Sequence, residues 1–288
     1  MGVKLGVMPV LAGTSGADPH VAARFVRQLE DLGCESVWAV EHVVVPDSYA
    51  SAYPYDPSGR MNLLPRDDIP DPLHWLTFAA AHTDRLMLGT AMLILPEHNP
   101  VHLAKRLATL DVLSGGRLIA GIGVGWLAEE YDAVGVPFAG RGRRADEYLE
   151  ALRVLWTRAP ASYTGQTVRF ADVHSRPRPT RTTGVPIMIG GHSPAAVRRA
   201  ARFGDGFYPL GVDVAGLRKL LGRLRDECLA LGRDPAAVEI TARAPASRAE
   251  AEELAELGVA RVVIRADPAR PAKVEATVTR YRREVLGE

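Results

Sequence analysis

The sequence predicts a single (β/α)8 barrel spanning residues 1–288, with insertions after strands two and four and before strand five. Short apolar, β-branched runs alternate with longer segments of helical period, the pattern of a parallel sheet with helical crossovers. Eight such rounds can be counted along the chain. Every strand is used and no seam separates two domains, which fits a closed barrel better than an open doubly wound sheet.

The strand candidates are residues 4–8, 36–40, 86–91, 118–122, 186–189, 206–209, 238–241 and 261–265. The helix candidates that follow them in turn are 18–32, 72–81, 100–113, 143–156, 194–203, 213–231, 248–257 and 268–285. Asp71-Pro72, Asn99-Pro100, Ser193-Pro194 and Asp267-Pro268 each place a capping side chain before a proline suited to the first helical position. Gly33, Gly204, Gly232 and Gly258 follow helix ends, where a left-handed residue closes the last turn. Leu113-Ser114-Gly115-Gly116-Arg117 reads as a helix stop feeding strand four. Three connections are long. Residues 43–71 are rich in Pro, Tyr and Asp and suggest a lid or pocket wall; 123–142 follow strand four; within 159–184, residues 162–170 alternate around a glycine and predict a hairpin.

Composition narrows the function. Lys plus Arg number 35 against 34 Asp plus Glu, so no global field favours nucleic acid or an anionic membrane, and a small molecule is the expected partner. The N-terminus lacks a basic flank ahead of a long apolar core and breaks at Pro9, reading as a strand rather than a signal. No run approaches a membrane span. Cys34 and Cys228 match no metal or redox spacing, which suits structural thiols in the cytoplasm.

In such barrels the chemistry sits on the loops after the strands. Met188-Ile189-Gly190-Gly191-His192-Ser193-Pro194 is a buried strand, two glycines and a capped helix start, which is physically a phosphate seat. It is equally readable as a tight turn that needs glycine's dihedrals. Gly121-Ile122-Gly123-Val124-Gly125-Trp126 lacks the helix and acidic residue of a dinucleotide fingerprint; glycines at a barrel rim would let a flat ring lie against the backbone. Glu41-His42 closes strand two, where a titratable pair could move a proton, or His42 could simply bond a backbone carbonyl. His98 and His102 lack a third ligand and a following carboxylate, so no metal is expected. The arginines at 141, 143 and 144 and at 176, 178 and 181 could meet an anionic cofactor tail or remain solvated. Glu129 and Glu130 are adjacent and would point in different directions on a helix, which excludes a glycosidase pair. No nucleophile elbow, Walker loop or Cys-His pairing is present.

The order of motifs resembles the luciferase-like monooxygenase superfamily, specifically its branch of enzymes using coenzyme F420, over nearly the whole chain. Gly89-Thr90-Ala91-Met92 looks like that family's third-strand bulge. Asp111 to Arg117 followed by Gly121 to Trp126 is similar to its central signature. Gly135, Phe138, Arg141, Leu155-Trp156, Ile189-Gly190-Gly191 and Gly204-Asp205-Gly206-Phe207 continue it. The resemblance implies a non-prolyl cis peptide at Ala91-Met92 behind the cofactor ring, His42 beside the ring, and Val124 and Gly125 against it. It places Gly190, Gly191, His192 and Ser193 around the cofactor phosphate.

The glucose-6-phosphate dehydrogenases of this family carry a tryptophan in the loop after the histidine and a glutamate after the glycine run. Here Pro46 and Trp126 stand there, so a less polar substrate is expected, with Tyr49, Tyr53 and Tyr55 in the lid. The resemblance implies hydride transfer between F420 and a small organic substrate, with His42 and Glu41 as catalytic residues and a homodimer as the assembly. The alternatives are an FMN-dependent monooxygenase consuming dioxygen and a flavin-binding barrel without turnover. Deazaflavin favours two-electron transfer because a carbon replaces N5.

Overall fold

The structure is a computed structural model that describes residues 3–11 and 16–287. Its barrel strands are β1 (Lys4–Pro9), β2 (Ser36–Ala39), β3 (Met87–Thr90), β5 (Leu118–Gly123), β8 (Ile187–Gly190), β9 (Gly206–Tyr208), β10 (Glu239–Arg243) and β11 (Val259–Ala266). They pair in parallel in the order β3-β2-β1-β11-β10-β9-β8-β5, and β3 returns to β5 through Leu88 opposite Leu118, which closes the ring. The predicted (β/α)8 barrel is therefore the observed one. A two-residue strand β4 (Leu93–Ile94) continues beyond β3 and pairs with Ile122 and Gly123.

Around the sheet run α1 (Pro19–Asp31), α2 (Pro72–Ala80), α3 (Pro100–Leu113), α4 (Ala128–Ala133), α5 (Arg141–Thr157), α6 (Pro194–Phe203), α7 (Val214–Ala230), α8 (Arg248–Glu256) and α9 (Pro271–Tyr281). Asp71 caps α2 through the amide of His74, Asn99 caps α3 through Val101 and His102, and Ser193 caps α6 through Ala196; a proline follows each cap. Two local expectations fail. The final helix starts at Pro271, because Asp267 spends its side chain and carbonyl on a turn, accepting from the amides of Ala269 and Arg270. Gly204 has φ −78°, so it ends α6 in extended rather than left-handed backbone, whereas Gly33, Gly232 and Gly258 adopt the positive φ expected. The long connection after strand four contains α4, and the predicted hairpin is β6 (Ala161–Thr164) against β7 (Arg169–Val173), antiparallel.

The apolar core has two compartments. The larger lies between the sheet and the helices and takes alternate strand residues such as Leu5, Val7, Val37, Leu88, Ile187, Val262 and Ile264. The smaller fills the lumen with Met8, Trp38, Ala91, Ile119, Met188, Tyr208 and Val263. Trp38 is fully buried there, its indole N–H donates to Ser36 Oγ at 2.8 Å, and Tyr208 meets it edge-on at 6.1 Å. The neighbouring strands make room. A Cβ on Gly6 would lie 2.7 Å from Trp38 Nε1, and one on Gly89 would lie 2.3 Å from its Cε3.

Beneath the indole, the guanidinium of Arg261 sits 5.5 Å from the ring. Glu35 and Glu239 bind it, and Lys4 reaches Glu239 at 2.7 Å. The lower barrel is thus filled and its charge paired, which leaves the carboxyl ends of the strands for chemistry.

Gly89→Ala should destabilise the protein by about 3 kcal/mol, since the methyl meets a rigid buried ring. Gly222→Ala, on an open face of α7, should stabilise it by about 0.5–1 kcal/mol. Urea denaturation of both variants reads the two signs.

Candidate functional site

Each strand that closes on the mouth delivers one part of the site. The chain leaves β2 through Glu41 and His42, and the two side chains part. His42 Nδ1–H donates to Glu130 Oε2 at 2.9 Å, and both side chains are largely buried, at 12% and 3% exposure. With Nδ1 so engaged, Nε2 is the ring atom left for a ligand. Glu41 is 5% exposed; one carboxylate oxygen accepts the amide of Ile94 and the other meets His98 Nε2 at 3.0 Å. Glu41 and His42 therefore form no titratable pair with each other. Each belongs to a separate carboxylate–imidazole pair, and the sequence reading missed both partners.

Glu129 and Glu130 lie side by side in the first turn of α4 and do point apart, as adjacent helical residues must. Glu130 Oε1 accepts the amide of Val43 at 2.5 Å and that of Val44 at 3.3 Å. Glu129 accepts the amides of Ala50 and Ser51 and the Ser51 hydroxyl, the last at 2.7 Å. Two neighbouring carboxylates thus pin the start of the long 43–71 segment at two places. The Ser51 hydroxyl, with the amides behind it, holds the Glu129 carboxyl down at about 2. The anchor is charged at all ordinary pH, and its stabilising share is lost only as pH falls from about 4.5 towards 2.

The pinned segment crosses the mouth as a strap. Trp126, which follows β5, meets His42 at 6.4 Å, Tyr49 at 5.5 Å and Tyr53 at 5.1 Å, all edge-on. Tyr53 meets Tyr55 at 5.3 Å, and Tyr55 meets His192 at 5.5 Å. The rings run from the end of β5 to the end of β8. Burial raises the phenol pKa of Tyr53 and Tyr55. Pro46 lies half-buried in the strap between the two carboxylate anchors.

The opposite wall is backbone and thioether. The Ala91–Met92 peptide bond is cis, as the resemblance implies. Met92 then lies across Gly121, Gly123 and Gly190: a Cβ on Gly190 would fall 2.6 Å from Met92 Cγ, and one on Gly123 would fall 3.0 Å from Met92 Cβ. The carbonyl of Val124 accepts the Tyr131 hydroxyl, and Gly125 turns at φ +65° against Ile94 and Tyr131. Arg141 donates to the Gly125 carbonyl and stacks on Phe138, while Arg144 donates to the Pro137 carbonyl, so these cations brace the loop.

At β8, Gly191 takes φ +102° with its Cα face open save for Ala196. Its amide donates to the Tyr208 carbonyl, so it offers a ligand space rather than a donor. His192 Nδ1–H donates to the Leu210 carbonyl at 2.8 Å, which leaves Nε2 as the free ring atom. Ser193 begins α6. No cluster suited to a metal occurs among the described residues.

Glu97 lies near enough to Glu130 and Glu41, the partners of the two histidines, to feel their charges. Both of its carboxyl oxygens are shielded from solvent and have no hydrogen-bond partner. Burial, reinforced by the Glu130 and Glu41 charges, pushes its pKa up to about 8.

A family model described as luciferase-like monooxygenase matches residues 4–285. The chain belongs to this family. An uncharacterized protein from Mycobacterium tuberculosis is 36% identical over 225 residues, 76% of each chain. The F420-dependent glucose-6-phosphate dehydrogenase of Kineococcus radiotolerans is 31% identical over 77% of this chain and 62% of its own length. The FMNH2-dependent dimethylsulfone monooxygenase of Pseudomonas putida is 33% identical over 65% and 52%. Among solved structures, the monooxygenase RslO1 of Streptomyces bottropensis superposes with TM-score 0.69 at 25% identity, covering 97% of this chain and 81% of that one. The F420-dependent tetrahydromethanopterin reductase of Methanopyrus kandleri shares the fold at TM-score 0.75 and 17% identity, covering 96% and 98%. The family thus holds both F420-dependent and FMN-dependent members.

Two outcomes test the luciferase-like site. Because Glu97 holds a proton in the fold that the unfolded chain releases, its contribution to stability is complete below pH 4.5 and is lost as pH rises through 8. Glu97→Gln should therefore flatten the fall in Tm between pH 5 and pH 8, read by calorimetry. Glu129→Ala should release the strap, exposing Arg60 and Arg66 to trypsin at least about tenfold faster with little change in global unfolding. Mass spectrometry of the nicked chain locates the cuts.

Proposed function

We propose that this luciferase-like chain is an oxidoreductase that transfers a hydride between coenzyme F420 and a small organic substrate at the carboxyl face of the barrel. The observation that supports it most is the imidazole of His42, fixed by the buried carboxylate of Glu130 at the barrel mouth, with Nε2 left free. Such a base suits a reaction in which a hydride and a proton leave or join the same substrate, as in interconversion of an alcohol and a carbonyl.

The residues present fit the cofactor. Its ring would lie against the Ala91–Met92 peptide, Val124 and Gly125, a turn held in place by Ile94 and Tyr131. Its phosphate would rest on the open face of Gly191 and the N-terminus of the ten-residue α6, with His192 and Ser193 beside it. When bound, the deazaflavin supplies the two-electron chemistry.

The chain's own work is positioning and proton handling. His42 Nε2 takes the substrate hydroxyl proton in oxidation or returns it in reduction. Glu130 holds the ring in one tautomer and stabilises the imidazolium that forms. Glu41 acts through structure: it fastens the Ile94 amide and His98 behind the cis peptide rather than touching substrate. Trp126 and the strap tyrosines wall the substrate pocket and exclude water.

A second reading is an FMN-dependent monooxygenase, favoured by the aromatic strap that shields the mouth and by the identity shared with the P. putida enzyme. We also propose a homodimer, which the exposed Val112 and Leu113 at the end of α3 would help to form; sedimentation tests it. Location in the cytoplasm is part of the same proposal; no helix among the described residues is long and apolar enough to cross a membrane.

Titration of the purified protein with F420 and separately with FMN, followed by tryptophan fluorescence, tests the cofactor. Micromolar binding of F420 and none of FMN is the expected result, and tight binding of FMN alone overturns it. With turnover in hand, Glu130→Gln should lower kcat by about 100-fold while leaving cofactor affinity unchanged.

A further inference from the structure

Alternate residues of a barrel strand face the lumen. On β11 these are Arg261, beneath Trp38, then Val263 in the lumen cluster, then Arg265. Arg265 stands opposite Met8, itself a lumen residue, in the β1–β11 register, while Val262 and Ile264 between them pack outward. Arg265 therefore forms the top layer of the lumen, at the mouth, and is exposed. In the ring of strands β11 lies four steps from β5 in either direction, diametrically across from the strand that leads to Trp126.

The other arginines of this half of the barrel are spent. Arg261 is held by Glu35 and Glu239. Arg243 of β10 is held by Glu250 and the carbonyls of Val212 and Ala244. Arg265 has no hydrogen bond or ion pair among the described residues. The groups that feel its charge are phenols, Tyr53 of the strap and Tyr208 of β9; burial raises both, and Arg265 opposes that rise. The acid acting on Tyr53, Asp56, already accepts from the Ser58 amide and hydroxyl.

An exposed, unpaired guanidinium at the rim presents a planar fork of donors without a counter-charge, the arrangement that suits a carboxylate. We propose that Arg265 is the specificity residue of the mouth and binds the carboxylate of an organic acid whose apolar body lies against Tyr53 and extends towards His42. This rests on the substrate being bound at that mouth, as the proposed oxidoreductase requires. It narrows the substrate class to anionic molecules with an apolar body.

The experiment compares carboxylic acids with their own primary amides, which share shape and lack the charge. Benzoate with benzamide, indole-3-acetate with indole-3-acetamide, and octanoate with octanamide are titrated into the full chain, alone and with F420 or FMN, by calorimetry. At least one acid should bind about tenfold more tightly than its amide. Arg265→Gln should remove that preference with the amide affinity unchanged, and Arg265→Lys should retain part of it. Absence of any acid preference across the pairs, or its survival in Arg265→Gln, overturns the proposal. Cofactor affinity of Arg265→Gln is measured alongside: a loss there assigns the cation to the cofactor and also overturns it. Failure of both cofactors to bind would defeat the oxidoreductase reading alone, since the acid preference is read without them.

Discussion

A closed barrel of eight strands encloses a lumen that must be filled, and here one indole is the largest of the side chains that fill it. Trp38 fits because Gly6 and Gly89 flank it without side chains, and Arg261 closes the space below with its charge matched by two glutamates. The cost of burying that guanidinium is offset only while both carboxylates hold it. With the floor sealed in this way, the space left for a ligand lies at the carboxyl ends of the strands. The candidate site of the luciferase-like chain is built upward from that floor.

The mouth is organised by carboxylates that work on backbone and imidazole. Glu130 serves two ends at once, orienting His42 and holding the amides that follow it, so the position of the imidazole and the course of the strap are set by one side chain. Glu41 does the same for Ile94 and His98 on the far side of the cis peptide. Glu97 feels the carboxylates of both pairs, and burial, reinforced by their repulsion, keeps it protonated through neutral pH. Removing one member of such a set leaves the others buried without their partners.

Local signals were legible in the sequence and distant ones were not. The caps at Asp71, Asn99 and Ser193, each followed by a proline, are read within four residues, so the helix starts follow directly. Asp267-Pro268 carries the same signal and fails because a turn outcompetes the helix for the same side chain. The glycine runs and the strand ends lie together at the carboxyl face of the barrel. Nothing in the spacing of Glu129-Glu130 announces that each reaches back some 80 residues to a different stretch of the strap. His98 read as half of a doubtful metal pair with His102, yet its partner is Glu41, a contact made across two strands. A pair formed by folding leaves no periodicity behind it.

The strap is tied near its beginning by two adjacent glutamates and rejoins the barrel at the cap of α2, while the stretch from Ala52 to Ile69 runs largely exposed between those moorings. That arrangement makes the stretch an interchangeable cassette. Apart from Tyr53, Tyr55 and the buried Met61, its side chains can drift without disturbing the imidazole or the barrel beneath, so one scaffold can be fitted to new molecules by rewriting a single short passage of sequence.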